Sequence, residues 1–372
     1  MRVCLVSHRL GGFDGVSIEA AKWAAGFRAL GHRVTRAAGH FVDREPGDVE
    51  VTGMWADRPG GDPPPVDHAV IRRLCTEHDL LVLDNAGSLW SAPDASTAWE
   101  RHALDTGTPV LLRHHDPAWQ GTALRAVDGD AVPLHHPAHL HVLINERTAG
   151  EFTARWPELH RTGALRVVHN RVHVDRLASG DRDRTRARLG VAPDEVLVLH
   201  PARVEGANKN IPGAVRIATE LRARLDRPVR YWLTDDTPAT GHVAEALAAA
   251  PGPVRGHVAE QADMYAAADL VLLPSTWEGW GLPVAEAAAA RRLVVAGPYP
   301  VLDELRALGL HVPGPDAVDE VAALLGDPAA AAEPLAANHR AVREHLDAAA
   351  LPAVLAELAE LARRRCATPP RR

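Results

Sequence analysis

Short, unbroken apolar runs alternate along this chain with stretches whose apolar residues recur every three or four positions. Runs at 2–7, 32–37, 79–84, 109–113, 141–145 and 165–169 predict strands. Helical spacing over 18–30, 67–78 and 96–106 predicts helices, the first stopped by Gly31. Strands alternating with helices imply a parallel sheet covered on both faces. The cycle then restarts. Strands are expected at 195–200, 229–233, 254–258, 270–273 and 293–296, helices at 212–225, 263–268 and 283–291, and alanine-rich helices finish the chain.

Residues 57–65 and 116–137 read as irregular loops, and the polar, arginine-rich stretch 176–188 separates the two cycles. The expected organisation is therefore one doubly wound α/β domain over 1–175, a second over 176–350, and a C-terminal helix with a basic tail over 351–372. A chain of 372 residues, 46% hydrophobic, holds two such cores without a disorder signature. A net charge of −7 argues against nucleic acid as a partner, and there is no apolar run of transmembrane length. Cys4, Cys75 and Cys366 are too scattered for a disulfide framework or a zinc site, and the first residues enter a strand directly; together these favour the cytoplasm. The arginine-rich end leaves peripheral contact with acidic lipid open, with a solvated tail the plainer reading. The high arginine and alanine content suggests a GC-rich bacterial genome. Only Lys22 and Lys209 are lysines; Lys22 reads as a surface residue, and Lys209 as a point charge that an arginine fork does not replace.

The most informative segment is Leu-Pro-Ser-Thr-Trp-Glu-Gly-Trp-Gly-Leu-Pro-Val-Ala-Glu over 273–286. A buried strand ends in a loop carrying Glu278, and Pro283 marks the first turn of a helix carrying Glu286. Gly279 and Gly281 permit close backbone approach, and the helix start at Leu282 offers free N–H groups to an anion. Carboxylates beside an anion site suit a ligand with both phosphate and sugar hydroxyls. A glutamate near a helix start also complements the macrodipole, a sufficient explanation for Glu286 taken alone.

At Pro274, Ser275, Glu278, Gly279, Gly281, Pro283, Glu286 and Ala287 the chain resembles the retaining GT-B glycosyltransferases of family 4. That resemblance implies two Rossmann-like domains facing across a cleft, with the last helix crossing back to the first domain. It also implies a nucleoside diphosphate sugar as donor, with Glu286 on the ribose and Glu278 on the donor sugar. The glycine-rich turn at Gly11, Gly12 and Gly15 follows the first strand, where open sheets bind ligands, although its spacing is not Gly-x-Gly-x-x-Gly; members of the family hold the donor diphosphate beside such a loop. Arg203 and Lys209, six apart across a loop, match the family's phosphate-neutralising cations. His115 falls where the family keeps a histidine near the sugar, with His114 and Asp116 acceptor-side or orienting residues. Val258 lies where its backbone would meet the nucleobase. Asn170 resembles the family's interdomain turn.

The expected function is retaining transfer of a hexosyl group to a hydroxyl acceptor on a small molecule, lipid or glycan, with no cofactor and no metal implied. The alternatives are a UDP-sugar epimerase on the same architecture and a catalytically silent nucleotide-sugar-binding protein.

Overall fold

This computed structural model describes residues 1–12, 14–54, 64–88, 92–115, 117–120, 132–204 and 208–367. Asp116, Gly206, the tail beyond 367 and much of the two loops expected at 57–65 and 116–137 lie outside these residues. The chain divides into two compact units, Met1–Asn170 with Ala349–Arg372, and Arg171–Ala348.

The first unit runs β1 (Arg2–Leu10), α1 (Gly15–Ala29), β2 (Arg33–Phe41), β3 (Val49–Glu50), α2 (His68–Glu77), β4 (Leu80–Asp84), α3 (Pro93–Thr106), β5 (Val110–His114), β6 (Leu140–Leu143), α4 (Glu146–Arg155), α5 (Pro157–Arg161) and β7 (Leu165–Val167). Its seven strands pair in parallel in the order β3-β2-β1-β4-β5-β6-β7. Every residue of β4 and β5 is buried, which explains their unbroken apolar reading. One face of the sheet packs Trp23 and Phe27 of α1; the other packs Ile71 and Leu74 of α2 with Trp99 of α3.

The second unit runs α6 (Val174–Ala178), α7 (Arg182–Leu189), β8 (Val196–His200), α8 (Ile211–Arg224), β9 (Val229–Leu233), α9 (Gly241–Ala249), β10 (Val254–Arg255), α10 (Gln261–Ala267), β11 (Leu270–Leu273), α11 (Leu282–Ala289), β12 (Leu293–Ala296), α12 (Leu302–Ala307), α13 (Val318–Gly326) and α14 (Pro328–Leu346). Its parallel sheet has the order β10-β9-β8-β11-β12.

The arginine-rich stretch expected to separate the domains lies inside this second unit, because its charges have partners there. Arg182 and Arg186 both pair with Asp269, at 2.6 and 3.2 Å, and Arg184 pairs with Asp263 at 3.0 Å. The units instead divide between Asn170 and Arg171. The chain ends on α15 (Leu351–Ala367), whose Leu351, Leu355, Leu358 and Ala362 join the Trp23–Phe27 side of the first unit's core. Gly26 permits that approach, since a methyl there would sit 2.7 Å from Leu355 Cδ1.

Candidate functional site

In an open parallel sheet, ligands collect beyond the strand carboxyl ends where the strand order reverses. The reversal in the second unit lies between β8 and β11. The loops leaving those strands carry Lys209 and Glu278, and Lys209 Nζ donates to Glu278 Oε1 at 2.7 Å in a partly buried pair. Asn208 ties the two loops together: its carbonyl accepts from the Thr276 N–H at 3.0 Å, and its Oδ1 from the Trp277 N–H at 2.9 Å. Asn210, at φ 48°, caps α8 through the Gly213 N–H and donates to the Pro274 carbonyl.

The next turn is set by Gly281, at φ 87°, which precedes α11 and has no side chain to cap it. A methyl at Gly281 would also lie 2.9 Å from Tyr299 Cζ. Glu286, in the second turn of α11, is buried, with Oε1 accepting from Gln261 Nε2 at 2.7 Å and Oε2 from the Tyr265 hydroxyl at 2.6 Å. Burial first, and then the Glu286 carboxylate, push the Tyr265 hydroxyl well above its ordinary range, so it remains a donor.

Three buried polar atoms at this sheet edge have no hydrogen-bond partner among the described residues: His200 Nε2, Ser275 Oγ and Tyr299 Oη. They stand at or just past the carboxyl ends of β8, β11 and β12, which are neighbours in the sheet. Burial, followed by the charge of Lys209, lowers the His200 imidazole to about 3 and keeps it neutral, while its Nδ1 meets the Tyr231 hydroxyl at 2.7 Å.

The first unit reverses between β1 and β4. A buried charge chain crosses that point. Lys22 Nζ donates to Glu19 Oε1 at 2.6 Å, and Arg113 Nη2 donates to Glu19 Oε2 at 2.7 Å and to Asn170 Oδ1 at 2.6 Å. Arg113 Nη1 reaches Asp84 Oδ2 at 3.4 Å, and Asp84 Oδ1 meets His115 Nε2 at 2.7 Å. The Arg113 guanidinium also lies over the Trp23 ring, 4.5 Å from its centroid. Burial raises the Glu19 and Asp84 carboxyls, but their cationic neighbours outweigh it and hold both below the ordinary range. Two positive and two negative charges thus balance within the chain, as a buried cluster requires.

His114, beside His115 but pointing the other way, enters a second chain. Its Nδ1 meets Ser88 Oγ at 2.5 Å, its Nε2 meets His141 Nδ1 at 3.1 Å, and His141 Nε2 meets the His136 carbonyl at 3.1 Å. Burial lowers both imidazoles, His141 to about 3, so both are neutral. A carbonyl only accepts, which sets the direction throughout: His141 donates to it, His114 donates to His141, and Ser88 donates to His114. Among the described residues no group of three or more His, Cys, Asp or Glu could hold a metal ion.

The family model for "Glycosyl transferases group 1" matches residues 195–327, the segment containing the Lys209–Glu278 pair and Glu286. Over that segment the chain is similar to the group 1 glycosyltransferases. Among curated relatives, this glycosyltransferase is 23% identical to mannosylglucosylglycerate synthase of Thermotoga maritima, covering 83% of this chain and 84% of that protein. It is 29% identical to a D-inositol 3-phosphate glycosyltransferase of Catenulispora acidiphila, covering 86% and 84% respectively. Among solved structures, HepE of Anabaena in complex with UDP and glucose matches with a TM-score of 0.72 at 16% identity, covering 97% of this chain and all of that one. The fold is GT-B, with its two Rossmann-like units. No helix among the described residues is long and apolar enough to cross a membrane.

The structure of this glycosyltransferase brings some of the expected site residues together and leaves others apart. Lys209 and Glu278 meet; Glu286 is held separately by Gln261 and Tyr265. Gly279 and Leu282 flank Gly281 in the turn into α11. Arg203 is exposed on the loop after β8, whose course is held by the Val204 N–H donating to Asp235 Oδ2 at 2.6 Å. Val258 is a buried loop residue between β10 and α10. In the glycine turn after β1, Gly11 has φ 78° and passes against the Asp43 backbone, while Gly15 opens α1. Gly12 lies beside Asp14, whose carboxylate accepts from the Ser17 N–H and so already occupies that helix start. Lys22 is not a surface residue: it is 8% exposed, because Glu19 needs its charge. Asp84, Glu19, Arg113, Gln261, Tyr265 and Tyr299 were not singled out by sequence. The one available signal was Asp84, a carboxylate ending an otherwise apolar strand.

Proposed function

We propose that this glycosyltransferase moves a sugar from a nucleoside diphosphate sugar to a hydroxyl acceptor with retention at the anomeric carbon. The observation that carries the reading is the Lys209–Glu278 pair at the strand-order reversal of the second unit, beside the uncapped start of α11. An ammonium and a helix N-terminus suit a diphosphate, and a carboxylate accepts from sugar hydroxyls. The donor class is in keeping with HepE, whose solved complexes contain UDP-glucose, or UDP and glucose.

In this reading the bond from the anomeric carbon to the diphosphate oxygen breaks with its electron pair on the diphosphate. The acceptor oxygen bonds to the same carbon from the same face, and its proton passes to the departing oxygen. Lys209, Arg203 and the α11 N-terminus stabilise the developing charge. Glu286 accepts from the ribose hydroxyls, and Glu278 turns from Lys209 to the donor sugar. Gly279, Gly281 and Leu282 frame the diphosphate, and Val258 meets the base through its backbone. No metal is assigned a part.

The test is a transfer assay with UDP-, GDP- and ADP-sugars against polyol and glycoside acceptors, with the product anomer read by NMR. Inversion at C2 without an acceptor would indicate an epimerase, and binding without turnover a silent binding protein. Lys209→Ala is expected to lower kcat/KM by about a hundredfold or more, the scale of losing an electrostatic stabiliser. Unchanged turnover and donor affinity would remove the diphosphate role from Lys209.

A further inference from the structure

The Tyr299 hydroxyl is one of three unpartnered polar groups at this edge, with His200 Nε2 and Ser275 Oγ, that the reading above does not use. Tyr299 follows β12 and is 2% exposed, and its hydroxyl has no hydrogen-bond partner among the described residues. An isolated hydroxyl in a protein interior is costly, since it has given up water and received nothing. Its position is specific. It lies so close to Gly281, the residue before the first turn of α11, that any side chain there would collide with the ring. That turn contributes the positive end of the helix dipole, Pro283 contributes no N–H, and no side chain caps the end. Burial first, and then the nearby Glu278 carboxylate, push the tyrosine hydroxyl above its ordinary range, so it keeps its proton and acts as a donor.

We propose that Tyr299 is a donor-binding residue whose hydroxyl donates a hydrogen bond to a diphosphate oxygen held at the α11 N-terminus. The proposal rests on the nucleotide-sugar reading above and adds a residue to it. The tyrosine keeps its proton throughout: as negative charge grows on the departing diphosphate, a neutral donor standing at a fixed place strengthens its bond without reorganisation. Gly281 then has two duties, the left-handed backbone of the turn and the space that lets the phenol reach it.

The experiment is Tyr299→Phe, which removes one oxygen and leaves the ring. A purely structural tyrosine with an unpartnered hydroxyl predicts unchanged binding and an equal or higher Tm. The proposal predicts the same Tm behaviour together with UDP, GDP or ADP binding about tenfold to a hundredfold weaker by calorimetry, the range for losing a bond to a charged group. The parent nucleoside is expected to bind both proteins alike. If Tyr299→Phe binds the diphosphate as tightly as the wild type while Lys209→Ala does not, the proposal is overturned and the donor reading stands. If the wild type binds none of the three nucleotides, inorganic pyrophosphate separates the two ideas. Tyr299-dependent pyrophosphate binding would keep the anion role and remove the nucleotide, and no pyrophosphate binding would remove both.

Discussion

Individual side chains in this glycosyltransferase are governed by whether burial leaves them a partner. His114, His139 and His141 are all buried, and desolvation lowers each, His141 to about 3. In the unfolded chain a histidine titrates near ~6.5. Above that pH both states are neutral and these groups add no pH dependence. Below it the unfolded chain takes up protons that the native state refuses, so stability falls as pH drops, by up to ~1.4 kcal/mol per pH unit for each histidine. Glu19 and Asp84 have the same sign at lower pH: their carboxyls are depressed in the fold, and the stability they contribute is lost as pH falls below their ordinary range, near ~4. Tm measured at constant ionic strength is therefore expected to decline from about pH 6.5 downward, well before carboxylates titrate. A Tm that stays level to pH 5 would contradict the neutral-histidine assignment. None of this was legible in the sequence, where His114 looked like a candidate for the acceptor side. Its chemistry depends on Ser88 and His141, which lie 26 and 27 positions away.

Secondary-structure elements were the most legible level, because their signals are local. The helices expected at 67–78, 212–225 and 283–291 appear as His68–Glu77, Ile211–Arg224 and Leu282–Ala289. Periodicity, Asp and Asn caps and Pro at the first turn act within a few residues, so they can be read in line. The short strand Val49–Glu50 and the helix Gly241–Ala249 were not anticipated, and the strand expected over 254–258 shrinks to Val254–Arg255, where neighbouring strands decide how far pairing runs. The packing of α15 on α1 gives this level its test. Leu355 is fully buried against the Trp23–Phe27 face. Leu355→Ala is expected to cost about 2–5 kcal/mol in urea unfolding; a loss under about 1 kcal/mol would mean that the helix contributes little to the first unit's core.

For the whole molecule, the glutamate-bearing turn of the second unit was legible and the buried charge chain of the first unit was not. Segment 273–286 carries its glutamates, glycines and proline within fourteen consecutive positions, so its turn and helix start are set by neighbours in sequence. In the first unit, by contrast, Glu19 meets Arg113 across 94 positions, and only the sheet order makes them adjacent. The proposed mechanism uses cations, a helix end and hydroxyl donors for the leaving group. It therefore predicts that dialysis against EDTA, followed by assay in metal-free buffer, leaves turnover unchanged. A loss restored by Mg²⁺ or Mn²⁺ would require a metal in the donor complex.

By itself the sequence determined the alternation of strands and helices, the two α/β cycles and the glutamate-bearing turn, since each depends on backbone preferences and side chains a few residues apart. Only the tertiary structure decided that Lys22 is buried rather than exposed, that the arginine-rich stretch belongs to the second unit, that Asp84 holds His115, and that a tyrosine hydroxyl without a partner among the described residues stands at the start of α11. Burial and pairing are properties of groups brought together from distant parts of the chain. The energies that fix their charge and direction are set by partners that no local pattern specifies.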